Sequence, residues 1–217
     1  MSIKNIYSPS LDEEILTAFN NLAKCEGEEI GKKCNVVYLK GGAKKGYRRF
    51  IVNFLNKTYS VEVDNREVVD LISGKPPSKE LVLVILRYLA YSTPGRTSES
   101  WVPFEKLPDS RKYLEMFRKV VVRPILRTFG SSPEKYELAC KRIGGRREKL
   151  GGISYSFYLL PKVQLLTQLW KAGKEDYSHP AANVSFNYSV RYYLNARDLL
   201  LAAKLLVDAL EAESKKL

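Results

Sequence analysis

The amino-acid sequence predicts an α+β fold, with an N-terminal β-meander and flanking helices, followed by a second strand group between C-terminal helices. Segments with helical spacing of apolar residues and segments rich in β-branched and aromatic residues come in blocks. The blocks do not alternate strictly, as a doubly wound parallel sheet requires. The 217 residues, 45% of them hydrophobic, suffice for a core without cross-links. We therefore expect one domain, with two lobes at 1–75 and 76–217 as the alternative.

The first helix is predicted over residues 11–24. Ser10 and Glu13 have the spacing of a capping box, and the apolar residues that follow recur at helical intervals. A charged turn that contains glycine is expected after this helix.

A β-meander is predicted next, with strands over 35–39, 47–55 and 59–63. β-Branched and aromatic residues dominate these segments, and Gly41-Gly42 separates the first two. A further short strand is expected at Val68.

The C-terminal part is predicted to combine helices and strands. Ser78 begins an apolar helix that reaches Tyr91, and 92–110 is expected to be a loop held by Trp101. Pro124 is expected to kink or split the helix that contains it. The other elements are helices over 111–129, 133–143 and 198–213, and strands over 154–160, 163–170 and 184–186.

The sequence gives no basis for catalysis. His179 is the single histidine, for which a loop or capping role is favoured, so most histidine-dependent acid–base and metal schemes are excluded. Gly41 and Gly46 have the spacing of a phosphate loop, but Tyr47 and Arg48 stand where lysine and serine or threonine are needed. We expect a protein that is not an enzyme, with no catalytic residue, no metal and no cofactor.

Three cysteines, Cys25, Cys34 and Cys140, form no C-x-x-C pair, which argues against zinc or iron–sulfur ligation. Buried thiols are the favoured interpretation, and a bridge between Cys25 and Cys34 is the alternative. Many Lys, Arg, Glu and Tyr residues beside only Gln164 and Gln168 are typical of a thermophilic source.

No apolar run is long enough to span a bilayer, and residues 1–10 lack the apolar core of a signal peptide. The expected location is therefore the cytoplasm, without contact to a membrane.

The net charge of +12 is concentrated in three stretches. Residues 40–49 and 111–127 each carry a net charge of +5, and residues 141–149 carry +4. Paired glycines interrupt the first and third stretches, which suits close approach to a phosphate chain. Tyr47 and Tyr155 lie nearby for stacking on exposed bases. The predicted nucleic-acid-binding residues are Lys40, Lys44, Lys45, Tyr47, Arg48, Arg49, Lys141, Arg142, Arg146, Arg147 and Lys149.

Several short apolar landmarks in the second half of the chain resemble those of an uncharacterised prokaryotic family, a domain of unknown function. The landmarks are Trp101-Val102-Pro103-Phe104, Leu107-Pro108, Phe129-Gly130, Ile143-Gly144-Gly145, Leu159-Leu160-Pro161-Lys162-Val163, Leu169-Trp170, Tyr193-Leu194 and Asp198-Leu199. The resemblance implies a source among anaerobic bacteria and archaea, and some members are linked to iron–sulfur modules. The chain departs from the family at Asn187, where aspartate is common, and in the acidic run near Gly173.

Two functions follow as hypotheses. The first is a non-enzymatic basic binding protein that contacts RNA or a ribonucleoprotein particle such as the ribosome. The second, implied by the resemblance, is an accessory or small-ligand-binding protein in anaerobic cofactor metabolism, with a pocket between the Trp101 loop and residues 176–193. A solvated basic face and a protein-interaction subunit remain open alternatives.

Overall fold

A computed structural model describes residues 10–41, 47–96, 98, 100–173 and 179–217 of the chain. The chain divides into two compact units, of which the first ends at Pro94 and the second begins at Gly95. The boundary predicted from the sequence lay after residue 75. The structure instead includes the helix that begins at Lys79 in the first unit.

In its described residues, the first unit combines three helices with an antiparallel four-stranded sheet. Ser10 forms the predicted capping box with Glu13 at the start of the first helix, and Ser78 caps the third. The sheet is a meander in which each strand pairs with the next along the chain. Its elements are α1 (Leu11–Ala23), α2 (Gly27–Cys34), β1 (Val37–Lys40), β2 (Arg48–Phe54), β3 (Lys57–Glu62), β4 (Glu67–Asp70) and α3 (Lys79–Tyr91).

The core of the first unit is built from the apolar faces of these elements. Helices α1 and α3 pack against each other. Phe50 and Val61 are register partners on the buried face of the sheet. The backbone carbonyl of Cys34, at the end of α2, accepts a hydrogen bond from the hydroxyl of Tyr88 on α3, with 2.5 Å between the oxygens. This bond fixes the end of α2 against α3.

The second unit contains a five-stranded antiparallel sheet with helices. The strand order is β5-β9-β8-β7-β6, so β6 to β9 form a meander and β5 joins its edge by pairing with β9. Its elements are β5 (Trp101–Pro103), α4 (Leu114–Phe117), α5 (Arg123–Phe129), α6 (Pro133–Arg142), β6 (Arg146–Glu148), β7 (Ile153–Leu160), β8 (Val163–Trp170), β9 (Ala181–Asn187) and α7 (Ala196–Ser214), with 3-10 helices over Phe104–Lys106, Arg111–Tyr113 and Tyr188–Tyr192.

The core of the second unit lies between β7, β8 and the helices. Helix α7 packs against α5, α6 and β7. Tyr136 of α6 is fully buried, lies edge-on to Tyr155 of β7 and shares a hydrogen bond with Thr167 of β8. Burial of its phenol raises the pKa of Tyr136 well above its ordinary value.

The helix predicted over 111–129 is split into pieces, as Pro124 suggested. A π-helical turn, Arg118–Val122, separates α4 from α5, and the N–H of Arg123 bonds the carbonyl of Arg118 five residues earlier. Proline has no N–H for the carbonyl four residues before it, so a regular α-helix cannot continue through this point.

The α+β class and the arrangement of its two strand groups are confirmed. Among the α-helices and strands, three were missed: α2, predicted as a turn, and the three-residue strands β5 and β6, predicted as loops. Cys25, Cys34 and Cys140 are free thiols, so the alternative bridge between the first two is absent.

Candidate functional site

The two arginines of the basic stretch 40–49 are paired with acids of the same unit. Arg48 donates two hydrogen bonds to Asp64, the shorter at 2.8 Å, and a third to the carbonyl of Ala23. The Asp64 carboxylate also accepts the backbone N–H of Arg48 at 2.9 Å. The hydrogen bonds from Arg48 lower the pKa of Asp64, and that carboxylate raises the pKa of Arg48. Arg48 of β2 therefore links the end of α1, at Ala23, to Asp64, which follows β3.

Arg49 is held in a similar way. Its guanidinium donates to the hydroxyl of Tyr47, and to Glu62 at 2.7 Å, its register partner on β3. Hydrogen bonds from Tyr47, and then from Asn65 and Arg49, lower the pKa of Glu62. Lys40 is exposed, and Lys44 and Lys45 lie outside the described residues.

The stretch 141–149 is also balanced in part. Lys141 lies 3.9 Å from Glu137, Arg142 lies 3.7 Å from Glu213, and Arg146 pairs with Glu148 at 2.9 Å. These contacts are mostly exposed, and surface ion pairs of this kind contribute about 1 kcal/mol or less to stability. They still offset the positive field that an approaching phosphate meets.

The remaining two cations of the stretch 141–149 are Arg147 and Lys149, and their surroundings differ. Arg147 donates to the carbonyl of Ser154 at 3.2 Å and lies over the ring of Tyr155. Lys149 is exposed. Tyr155 is 0% exposed, so it cannot stack on a base.

The predicted residues thus belong to two different units, Lys40 to Arg49 to the first and Lys141 to Lys149 to the second. In each unit, hydrogen bonds inside the chain occupy most of the described arginines. Sequence reasoning placed the charge correctly along the chain but did not reveal these partners.

A cleft of about 870 Å³ lies in the second unit. Its walls come from the segment after Trp101 and from the residue that follows β9. Five of its ten lining residues are charged, and they include three cations. The lining residues are Val102, Glu105, Lys106, Leu107, Pro108, Asp109, Ser110, Arg111, Lys112 and Tyr188.

An aromatic cluster supports one wall of the cleft. Phe104 is buried and lies parallel to Phe117, with 4.2 Å between the ring centroids. Both rings contact Phe186 of β9 at 6.0 Å. These ring contacts fix Phe104 in the core. Glu105 and Lys106, the charged residues that follow it, are exposed.

The turn after Phe104 then directs three cations into the cleft. The hydroxyl of Ser110 donates to the carbonyl of Leu107 at 2.7 Å. Asp109 has φ +56°, which aspartate tolerates better than bulkier side chains. Lys106 precedes this turn and Arg111 and Lys112 follow it, all of them exposed.

None of these three cations lies within ion-pair distance of an acid in the described part of the chain, although Glu105 and Asp109 line the same cleft and reduce the formal charge of its lining to +1. Arg111 and Lys106 form no ion pair there, and Lys112 lies over the ring of Tyr113 at 5.2 Å. By contrast, Arg118 pairs with Glu115 at 2.9 Å, farther along the same stretch.

Tyr188 forms the opposite part of the cleft and is fixed by its neighbours. Its backbone N–H bonds the carbonyl of Ser100 at 2.9 Å. Asn187, which precedes it, donates its amide to the carbonyl of Ser98 at 2.6 Å and accepts the backbone N–H of Ser189 at 3.0 Å. Asn187 therefore fixes the start of the 3-10 helix that carries Tyr188.

Arg191 lies beside this tyrosine. Its guanidinium carbon is 3.9 Å from the ring centroid of Tyr188 and 4.8 Å from that of Tyr192. Gly95 makes room for this arrangement, because a Cβ there would lie 2.2 Å from the ring of Tyr192. The guanidinium thus contacts both rings.

Sequence reasoning noted the charge of stretch 111–127 but chose no site residue in it. Lys106, Tyr188 and Arg191 were not chosen as site residues, although Lys106 follows Trp101 and the other two lie in 176–193, the segments between which the second hypothesis expects a pocket. The available signal for the cations was the cluster of Lys106, Arg111 and Lys112 around a proline-containing turn. Pairing of β5 with β9 brings Tyr188 to the cleft.

No group of three or more His, Cys, Asp or Glu residues that could hold a metal ion occurs among the described residues. His179, at the start of the last described range, is exposed. Among the described helices, none combines the length and apolar character that crossing a bilayer requires.

The fold and this cleft define an α+β protein with a cationic surface cleft in its second unit. The chain belongs to the family described as Domain of unknown function (DUF3786), whose model matches residues 28–209. The match reaches farther toward the N-terminus than the landmarks that begin at Trp101. No curated protein and no solved structure matches the chain.

Proposed function

We propose that the chain is a non-enzymatic binding protein that contacts RNA through the cleft of its second unit. The observation that carries the proposal is that Lys106, Arg111 and Lys112 line one cleft without an acidic partner among the described residues. Neutralising phosphates with such cations releases counterions, which is the main source of affinity in nucleic-acid binding.

The character of the cleft favours an extended polyanion over an enclosed small ligand. Pockets for small molecules are mostly apolar and surround most of the ligand. Here half of the lining residues are charged and the cleft is open. The carboxylates of Glu105 and Asp109 suit RNA as well, because a ribose 2′-hydroxyl can donate a hydrogen bond to a carboxylate.

The proposal moves the binding surface away from the two loops chosen by sequence. Arg48, Arg49 and Arg146 are held by acids, so a phosphate would have to displace Asp64, Glu62 or Glu148. The cations of the cleft need no such exchange. Lys40 and Lys149 are exposed and could extend the contact of their own units.

Salt-dependent binding of a fluorescent 12-nucleotide single-stranded RNA tests this proposal. The variant Lys106→Gln/Arg111→Gln/Lys112→Gln should bind more weakly. Its plot of log affinity against log salt should be shallower by about two, since each lost phosphate contact on a single strand removes about 0.7.

A matched control removes three exposed lysines elsewhere, in the variant Lys32→Gln/Lys75→Gln/Lys135→Gln. It loses the same charge and should keep the salt dependence of the wild type. Equal weakening by both variants would show that net charge, and not the cleft, attracts RNA. Absence of binding by the wild type at low salt would end the proposal.

The partner, the source organism and the cellular location belong to the same proposal. The net charge of +12 supports a ribonucleoprotein partner such as the ribosome, and the composition supports a thermophilic source. A cytoplasmic location in an archaeon or an anaerobic bacterium is part of this proposal and is supported by the family resemblance.

A small anionic ligand in the same cleft is the second candidate. The cleft lies between the segment after Trp101 and Tyr188, where the hypothesis of an accessory protein in anaerobic cofactor metabolism expects a pocket. Its volume of about 870 Å³ is within the range of small-molecule sites. Native mass spectrometry of protein purified from its source should then detect a bound molecule, which the cleft variant releases.

A further inference from the structure

The ring of Tyr188 is the aromatic surface that the cleft offers to a ligand. Tyr188 is half-buried and lines the cleft, whereas Arg191 does not line it. The guanidinium lies 3.9 Å from the ring centroid and so occupies one face of the ring. The part of the Tyr188 ring that faces the cleft is therefore the part that Arg191 does not cover.

The position of this ring is set by the sheet and not by a free loop. β5 pairs with β9 through Trp101 and Asn187, and the next residue along is Tyr188. The hydrogen bonds of Asn187 to both neighbouring segments hold the backbone at this point. A ring that is already ordered loses little conformational entropy when a ligand stacks on it.

The other tyrosines near basic residues cannot serve in the same way. Tyr155 is fully buried, and the hydroxyl of Tyr47 accepts hydrogen bonds from Arg49. Tyr158 is 58% exposed on β7 but does not line the cleft. Tyr113, whose ring centroid lies 5.2 Å from Lys112, does not line the cleft either, so Tyr188 alone among these five is both partly exposed and part of the cleft lining.

We infer that Tyr188 is a stacking platform for one unpaired base, so that the RNA bound in the cleft is single-stranded. This inference rests on the proposed function. A base on the ring of Tyr188 would place its own strand beside Lys106, Arg111 and Lys112, which take the phosphates. In a duplex the faces of the bases are already stacked on each other and are closed to the ring. The positive charge of Arg191 behind the ring stays close to the bound strand.

Comparing strands with and without bases tests this inference. We would measure affinity by fluorescence anisotropy for a 12-nucleotide single-stranded RNA, its abasic counterpart of equal charge, and a duplex of the same sequence. The wild type should bind the single strand about tenfold more tightly than the abasic strand, as expected for one stacked base. It should also prefer the single strand to the duplex.

Variants of the ring should then remove or keep this preference. Tyr188→Leu should bind the complete and abasic strands equally, whereas Tyr188→Phe keeps a ring and should retain the wild-type ratio. Tyr158→Leu removes an exposed tyrosine outside the cleft and should leave the ratio unchanged.

The outcomes separate the two levels of the argument. Failure of every strand to bind would refute the proposed function. Equal binding of complete and abasic strands by the wild type, or an unchanged ratio in Tyr188→Leu, would refute the platform and leave the cationic cleft standing. If Tyr188→Leu does not fold, 2-aminopurine placed in the strand gives a second measurement. Its fluorescence should fall on binding to the wild type and to Tyr188→Phe, which keeps the ring, and unchanged emission on saturation of the wild type would refute stacking.

Discussion

Replacing Asn187 by aspartate tests whether the hydrogen bonds of Asn187 fix the segment that carries Tyr188, one of the residues that line the cleft. The amide nitrogen of Asn187 donates to the carbonyl of Ser98 at 2.6 Å, and its oxygen accepts from the backbone N–H and the hydroxyl of Ser189. Asn187→Asp keeps the size and the acceptor but replaces the donor by a second oxygen. Asn187 is 6% exposed and Ser98 is half-buried, so water can compensate only in part.

The expected cost follows from the group that loses its partner. An unsatisfied carbonyl that is fully buried costs about 1–3 kcal/mol, and a carboxylate oxygen facing it adds repulsion. Because the carbonyl of Ser98 is half-buried, we expect Asn187→Asp to lower the free energy of unfolding of the second unit by about 1–2 kcal/mol at pH 7. The loss should shrink at pH 4, because a protonated carboxyl group regains a donor for the carbonyl of Ser98.

Urea unfolding followed by tryptophan fluorescence is a suitable assay. Trp101 and Trp170 both lie in the second unit, and Trp101 is the register partner of Asn187. The midpoint should fall without a change in the slope of free energy against urea concentration.

A matched control is Asn53→Asp on β2. The exposed Asn53 uses only its amide oxygen, which accepts from the hydroxyl of Thr58 at 2.9 Å, so the change should cost less than about 0.5 kcal/mol by far-UV circular dichroism. An Asn187→Asp protein as stable as the wild type at pH 7 would show that the bond to Ser98 does not hold the wall.

Two further predictions concern charge in the first unit and the thiols. The hydrogen bonds from Arg48 lower the pKa of Asp64, so this pair stabilises the fold above the ordinary pKa of aspartate and loses its effect as the pH falls through the lowered value. Asp64→Asn should flatten that part of the pH dependence in urea unfolding by about 1 kcal/mol or less, because the pair is partly exposed, and an unchanged profile would contradict the assignment. Cys34 and Cys140 are buried and burial raises the pKa of both thiols, so only the half-buried Cys25 should react with a thiol reagent in the native protein, with three thiols reacting after denaturation. Reaction of all three in the native state would contradict this burial.

Elements with local signals were predictable from the sequence. The capping box at Ser10 and the cap at Ser78 mark the starts of α1 and α3 to within a residue. Helix α2 was missed because its two glycines, Gly27 and Gly31, weaken the helical pattern. They are explained only by tertiary packing: a Cβ at Gly27 would lie 2.1 Å from the ring of Tyr38.

The short strands were missed for a different reason. β5 has three residues, and its partner β9 begins at Ala181, far along the chain. β6 pairs with β7 across a loop that looked merely basic. A strand of this length has no periodicity of its own, so only the pairing defines it.

Charge along a chain is a poor guide to charge that a ligand can use, and the reason is visible in the register of the sheet. Antiparallel pairing places Arg49 of β2 opposite Glu62 of β3, so the register of the meander brings this cation to an acid. The 3-10 helices around the cleft have no neighbouring strand that supplies acids in register, which leaves Lys106 and Arg111 without partners among the described residues. Reliable prediction of the site would have required the strand register first and the count of positive residues second.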